Sequence, residues 1–352
     1  MSYPIPSLST LCYAEMRLEQ AALAIKPLHK DSLTVLALNE VVKSGKFPEM
    51  PEGMKRQLHA RLIVLSERQK KELRIFRKCI NYCTPQEALK TAVLEGSNDA
   101  VLWLLNYRRY QIDLQFTYDD DLSDGRTAFH LAASSGHEGV VRLLLENEDV
   151  INNINLQNRQ GTTALHLAAS SGHEGVVRLL LENEYVINNI NLQNVNGETA
   201  LHLAASNGHE GVVRLLLENE DVRNNINLQD FWDMTAFYLA ARYGHEGVLR
   251  LLLENEDVRN NINLQNRNGM TALHLAADRG FESIVRLLLE NGYHITSNDL
   301  RFLRSGHKLL IAKYFLRQNR STIAPAVTAA VAVYVVYAVA SLLYRFQQSF
   351  TK

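Results

Sequence analysis

Residues 161–196 read GTTALHLAASSGHEGVVRLLLENEYVINNINLQNVN, and the chain repeats this stretch five times with few changes. Successive copies begin 36 residues apart, at Gly125, Gly161, Gly197, Asp233 and Gly269. A fixed period of this size is typical of a solenoid, in which each unit buries its apolar face against its neighbours. The sequence therefore predicts stacked copies of one structural unit through the middle of the chain.

Each copy contains two helical patterns followed by a loop. Residues 164–171 carry a narrow stripe of small side chains at helical spacing, and residues 176–181 carry a broader Val/Leu face. We expect Gly172 to end the first helix in the left-handed conformation that glycine adopts easily. Asn183 is expected to end the second helix in the same way, and residues 188–196 to form a turn or hairpin.

These residues resemble the ankyrin repeat family, whose pattern is G-x-T-P-L-H-x-A-A-x-x-G-H-x-x-V-V-x-L-L-L. The proline of that pattern is alanine in all five copies. The unit also exceeds the family's usual length of about 33 residues, and we place the three extra residues in the Asn-rich loop. The matching positions of the second copy are Gly161, Thr163, Leu165, His166, Ala168, Ala169, Gly172, His173, Val176, Val177 and Leu179 to Leu181.

The resemblance covers 124–291 and implies an all-α solenoid of helix-turn-helix units joined by hairpin loops. It also implies that Thr163, His166, Gly172 and His173 are structural positions, with the His166 ring bonding Thr163 and nearby backbone. Members of the family bind protein partners through the hairpin tips and the exposed side of the first helix. The resemblance therefore predicts where a partner would bind.

The flanking sequence predicts the domain boundaries. Residues 88–106 keep the main apolar positions of a degenerate repeat, and residues 306–319 resemble the second half of a unit, so we expect both to cap the array. The predicted organisation is an N-terminal α-helical region (1–83), a capping repeat with a linker (84–123), five repeats (124–291), a C-terminal cap (292–320), a hydrophobic helix (321–346) and a short tail (347–352).

Charge is distributed unevenly along the chain. Residues 124–291 hold 22 acidic and 12 basic residues, whereas residues 1–83 hold 14 basic and 8 acidic ones. The basic stretch 55–78 is compatible with anionic lipid or nucleic acid. A solvated face of a long helix explains it more simply, and we expect no nucleic-acid partner.

The C-terminal part contains a candidate membrane segment. The 22 residues from Ile323 to Tyr344 carry no charge, and a helix of that length reaches about 33 Å, enough for a hydrocarbon core of about 30 Å. The alternative is a buried helix that packs on the last repeat. A span is favoured because no polar face would remain for water, and with no secretory signal visible we expect contact with membrane lipid and repeats that face the cytosol.

The histidines do not predict a catalytic or metal site. Eight of the twelve fall at two repeat positions, which a solenoid spaces in even rows. The recurring His-Glu-Gly is not the H-E-x-x-H metal motif, and the sequence contains no phosphate loop, dinucleotide fingerprint or nucleophile elbow. We expect no enzyme activity, cofactor, metal or small-molecule substrate.

The fourth copy differs most from the others, and there the shared fold does not dictate the residues. Aromatic and arginine side chains dominate the energetics of protein interfaces, so we predict a partner-binding site in this copy. The alternative is drift, in which one copy has decayed. The predicted partner-binding residues are Phe231, Trp232, Met234, Tyr238, Arg242 and Tyr243.

The sequence thus favours a non-catalytic scaffold that binds a protein through its repeats at a membrane. An alternative is an effector that a bacterium secretes into host cells, with the host cytosol or a host membrane as its location. A ubiquitin-ligase type of adaptor is also compatible, and in both alternatives residues 1–83 would carry or recruit an activity.

Overall fold

The computed structural model describes residues 84–106, 112–118, 124–293 and 295. These residues are helical and contain no β-strand; Tyr118 and Arg126 form one isolated antiparallel bridge. The predicted all-α class is confirmed for this part of the chain. Contacts divide it between Ala200 and Leu201 into two compact units.

Sixteen helices lie within the described residues. In chain order they are α1 (Pro85–Leu94), α2 (Asn98–Asn106), α3 (Ala128–Ser135), α4 (Glu138–Leu144), α5 (Glu148–Asn152), α6 (Ala164–Ser171), α7 (Glu174–Leu181), α8 (Glu184–Ile187), α9 (Ala200–Asn207), α10 (Glu210–Leu217), α11 (Glu220–Asn224), α12 (Ala236–Tyr243), α13 (Glu246–Leu252), α14 (Glu256–Asn260), α15 (Ala272–Arg279) and α16 (Glu282–Glu290).

The first helix of the second repeat, α6, begins at a threonine cap and ends at a glycine. The hydroxyl of Thr163 accepts a hydrogen bond from the backbone N–H of His166 at 3.4 Å, which satisfies one of the free donors of the first turn. Gly172 has φ 76°, and its N–H donates to the carbonyls of Ala168 and Ala169. The prediction for Gly172 is therefore confirmed.

The second helix ends differently from the prediction. Glu182 is the C-terminal cap of α7 and has a right-handed conformation. Asn183 lies in the extended region and its side-chain oxygen accepts a hydrogen bond from the N–H of Tyr185 at 2.9 Å. The prediction for Asn183 was wrong because asparagine is also a strong N-cap, and here it begins a third helix.

The third helix accounts for residues that the sequence placed in a loop. The short helices α5, α8, α11 and α14 follow the second helix of each of the first four repeats. Side chains between repeats connect them: Asn155 Nδ2 donates to the carbonyl of Tyr185 at 2.7 Å, and Asn227 Nδ2 donates to that of Asp257 at 3.0 Å. The 36-residue repeat therefore contains a short third helix, whose backbone accepts a hydrogen bond from the neighbouring repeat.

In each of the two compact units, the apolar core lies between neighbouring repeats. In the first unit α6 packs against α3, and in the second α12 packs against α15. Ala168 and Ala169 are fully buried, as are Val176 and Val177. Because the helices are too short to be stable alone, this burial supplies most of their stability.

The degenerate repeat that precedes the five copies forms a helix pair, in which α1 packs against α2 and also against α3. Of the predicted C-terminal cap, only residues 292, 293 and 295 are described. The N-terminal region 1–83 and the hydrophobic segment 321–346 lie outside the described residues. Within the described ranges, no helix combines the length and apolar content that a membrane crossing requires.

Candidate partner-binding surface

The histidine of the first helix connects its own repeat to the loop of the next one. In the second repeat, the N–H of Thr163 donates to Nδ1 of His166 at 3.2 Å. The proton of the neutral ring therefore sits on Nε2, which donates to the carbonyl of Glu198 at 3.1 Å. His166 is 1% exposed, so this ring acts as a buried connector between segments.

His130 occupies the same position in the first repeat and bonds Thr127 and the carbonyl of Leu156. Burial lowers the pKa of His130 to about 4, because a charged imidazolium would lose its hydration there. The ring is therefore neutral at physiological pH. Among the described residues, no group of three or more His, Cys, Asp or Glu could hold a metal ion.

The second row of histidines lies at the helix junctions, where it is partly buried and forms contacts between repeats. His173 Nε2 donates to the carbonyl of Ser134 at 3.0 Å. The ring lies against Gly136, where an added Cβ would stand 2.5 Å from His173 Nδ1. This glycine thus leaves room for the histidine of the next repeat.

The fourth repeat replaces the connecting histidine with Tyr238. The backbone N–H of Tyr238 still donates to the Thr235 hydroxyl at 3.2 Å. The phenol hydroxyl is buried without a hydrogen-bond partner among the described residues, and burial raises the pKa of Tyr238 to about 12. The link that His166 provides in the second repeat is therefore absent here.

The loop before this repeat carries a second buried polar group. Asp230 is 4% exposed and takes the place of the asparagines Asn158 and Asn194. Its Oδ1 accepts hydrogen bonds from the N–H groups of Trp232 and Met234, both at 2.8 Å. Its Oδ2 is buried and has no hydrogen-bond partner among the described residues.

The tip itself is strained. Asp233 has φ 59° where the other copies have glycine, and a side chain in this region costs about 1–2 kcal/mol. Asp233 Oδ2 lies 3.4 Å from Nε of Arg267, and the N–H of Arg267 donates to the carbonyl of Trp232 at 3.4 Å. The tip is thus joined to the next loop.

Three large aromatic side chains of this repeat are exposed: Phe231 by 56%, Trp232 by 48% and Tyr243 by 45%. Arg242 lies between the tip and the end of α12. Its Nη1 is 3.4 Å from the sulfur of Met234, and its Cζ is 5.5 Å from the centre of the Tyr243 ring. The guanidinium therefore contacts both the buried Met234 sulfur and the exposed Tyr243 ring.

A family profile described as Ankyrin repeats (3 copies) matches residues 63–153, 89–191, 150–230 and 222–299. These overlapping matches extend over well more than half of the chain. The chain belongs to the ankyrin repeat family. Proteins built from ankyrin repeats generally act as protein–protein interaction modules and are typically non-catalytic. No curated protein matches the chain.

Two of the six residues predicted to bind a partner are not on the ankyrin surface. Met234 is 7% exposed and Tyr238 is 3% exposed, so the prediction of direct contact is corrected for both. The residue equivalent to Tyr238 is buried in every copy of the ankyrin repeat. Arg242 and Tyr243 instead lie at the accessible end of α12. We call Phe231, Trp232, Arg242 and Tyr243 the aromatic patch.

The sequence reasoning missed Asp230 and Arg267, which hold the tip in place. Both could have been found by comparing ankyrin copies column by column. The column of Asp230 changes from amide to carboxylate, and the column of Asp233 changes from glycine to a residue that can pair with Arg267. That comparison also shows Tyr185, an aromatic residue 58% exposed on α8.

Proposed function

We propose that this ankyrin-repeat chain is a non-catalytic scaffold that binds a protein partner through the aromatic patch. The observation that carries the proposal is that this one repeat exposes three large aromatic side chains, one of which, Tyr243, lies against the Arg242 guanidinium. In other copies the corresponding tips are Arg-Gln, Val-Asn or Arg-Asn pairs. Exposed aromatic groups of this size mark interaction sites in soluble domains, and these residue types dominate interface hot spots.

The surroundings of the patch support a binding role over decay. The fourth repeat combines an aspartate at positive φ with a buried Tyr238 hydroxyl that makes no hydrogen bond among the described residues. Strain and unsatisfied buried groups concentrate at functional sites, where the rest of the fold holds them. The exposed residues next to them are also the types that bind proteins best, which decay alone does not select.

The test is capture of partners in cells by proximity labelling with the full chain and a Trp232→Ala, Tyr243→Ala variant. Both side chains are about half exposed, so the variant should keep its melting temperature while its labelled partners are lost. Tyr185→Ala is the matched control, because Tyr185 is an equally exposed aromatic outside the patch. Partners that survive the double substitution would contradict a role for the patch.

A membrane tether at residues 321–346 is the second part of the proposal. It is supported by the 22 uncharged residues from Ile323 to Tyr344, which suffice in length for a span. Carbonate extraction of the full chain should leave it in the membrane pellet, and deletion of residues 321–352 should release it. A full-length chain that stays in the supernatant would rule out the tether and leave the binding role of the patch standing.

A further inference from the structure

We propose, building on that binding role, that the partner presents a single carboxylate, flanked by apolar side chains, to the guanidinium of Arg242. The proposal concerns the chemistry of the partner at the aromatic patch. It is carried by the incomplete set of acceptors around Arg242, by the exposed aromatic residues of the same repeat and by the charge of the whole repeat region.

Arg242 stands where the first three copies have a serine and the fifth copy has Asp278. Ser134 Oγ donates to the carbonyl of Leu131 at 3.1 Å, and Ser206 Oγ donates to that of Leu203 at 3.0 Å. Arg242 brings five N–H donors to this position. Among the described residues its one hydrogen-bond acceptor is the Met234 sulfur at 3.4 Å, and a thioether is a weak acceptor.

The neighbouring cation is already neutralised. Arg267 lies 3.4 Å from the carboxylate of Asp233, so its charge is balanced at the tip. Arg242 has no carboxylate partner within the described ranges, although it is partly buried at the end of α12. A carboxylate supplied by the partner would provide the acceptors that the Arg242 guanidinium lacks, because arginine binds a carboxylate through two parallel hydrogen bonds.

The aromatic groups decide what flanks that carboxylate. Trp232 is exposed at the tip, two residues before Met234, whose sulfur contacts Arg242, and Tyr243 lies beside the Arg242 guanidinium at the end of α12. Apolar side chains on either side of the partner's carboxylate can pack on these two rings. Their packing removes water from the ion pair, and a charge-assisted hydrogen bond is stronger in a less polar environment.

The charge of the repeat region limits the partner to one carboxylate at this point. Residues 124–291 carry a net charge of −10, so a run of acidic residues would be repelled. At physiological salt the screening length is about 8 Å. A lone carboxylate in contact with Arg242 is therefore attracted, while an acidic run long enough to extend along the repeats meets their net negative charge.

The experiment selects random peptides by display against the full chain and discards those that still bind the Trp232→Ala, Tyr243→Ala variant. The remaining peptides are expected to carry one Asp or Glu between apolar residues. Each is then titrated against Arg242→Gln and against Arg279→Gln, the matched control on the accessible end of α15. Loss of a charge-assisted pair should weaken binding on the order of tenfold to a hundredfold for Arg242→Gln only.

A double-mutant cycle makes the assignment specific. Replacing the peptide carboxylate by its amide should weaken binding to the native chain and leave binding to Arg242→Gln almost unchanged. Patch-dependent peptides that lack an acid, or that bind Arg242→Gln as tightly, overturn the proposal but leave the binding role of the patch intact. If no enriched peptide depends on Trp232 and Tyr243, both proposals fall.

Discussion

The second and fourth repeats share a backbone plan and differ in the hydrogen bonds made by one buried residue of the first helix. In the second repeat, His166 bonds both the start of its own helix and the next loop. In the fourth, Tyr238 keeps only the bond from its backbone N–H, while Asp230 accepts the same two backbone bonds at the tip that Asn158 accepts in the second repeat. One copy of a repeat array can therefore lack an internal hydrogen bond, because the neighbouring copies stabilise that copy.

The same two repeats also differ in the residues that they expose to solvent. The tip of the second repeat carries Arg159 and Gln160, and its first helix ends in Ser170 and Ser171. The fourth repeat exposes aromatic rings and an arginine without a carboxylate partner among the described residues. The copy that lacks the histidine link is thus the copy that exposes three aromatic rings.

The largest effect should come from removing the connector of the second repeat. His166→Ala takes away a buried ring and its bonds to Thr163 and Glu198, and we expect a loss of about 3 kcal/mol in the free energy of unfolding. Tyr238→Phe removes only a hydroxyl that makes no hydrogen bond and should change stability by less than about 1 kcal/mol. Urea denaturation of both variants checks the contrast, and equal losses would show that the two repeats do not differ in this way.

A smaller effect concerns acid. The pKa of His130 falls from 6.5 to about 4 on folding, so between these values the unfolded chain binds more protons and stability decreases as the pH falls. From pH 7 to pH 5 this group should account for a loss of about 2 kcal/mol.

His130→Tyr, which imports the residue of the fourth repeat, should lower stability at pH 7 but flatten the loss between pH 7 and pH 5. Urea midpoints at the two pH values measure this change in slope. The same slope in the native chain and in the variant would show that His130 does not govern the acid response.

The smallest effect is an exchange at the loop tips. Asp233→Gly relieves a positive φ at a cost of an exposed ion pair with Arg267, so a net gain of about 1 kcal/mol is expected. Gly269→Asp places the same strain at a tip where an added Cβ meets nothing within 4 Å and should lose a similar amount. Melting temperatures that move in the same direction for both exchanges would contradict the role of strain at these tips.

Much of the fold could be predicted from the sequence because its signals are local. The spacing of small and apolar residues predicts both helices, and Gly172 marks the end of the first. The third helix could not be predicted so easily, because Asn183 suits the end of one helix and the start of another equally well. Only the observed hydrogen bond from Tyr185 decides between them.

The candidate site was half predictable for a related reason. The aromatic residues of the fourth copy are visible as departures from a repeated column, which needs no coordinates. Which of them reach the surface depends on the direction of each side chain from α12, and this separates the exposed Tyr243 from the buried Tyr238.

The sequence by itself determined the family, the all-α class of the repeats and the repeat that departs from the rest, because periodicity and composition are properties of the chain. The tertiary structure alone decided that Arg242 lacks a carboxylate partner among the described residues and that Met234 and Tyr238 are buried. It also decided that Asp233 has a positive φ and pairs with Arg267. These depend on packing between segments far apart in sequence, where distance and burial, rather than residue type, set the energy.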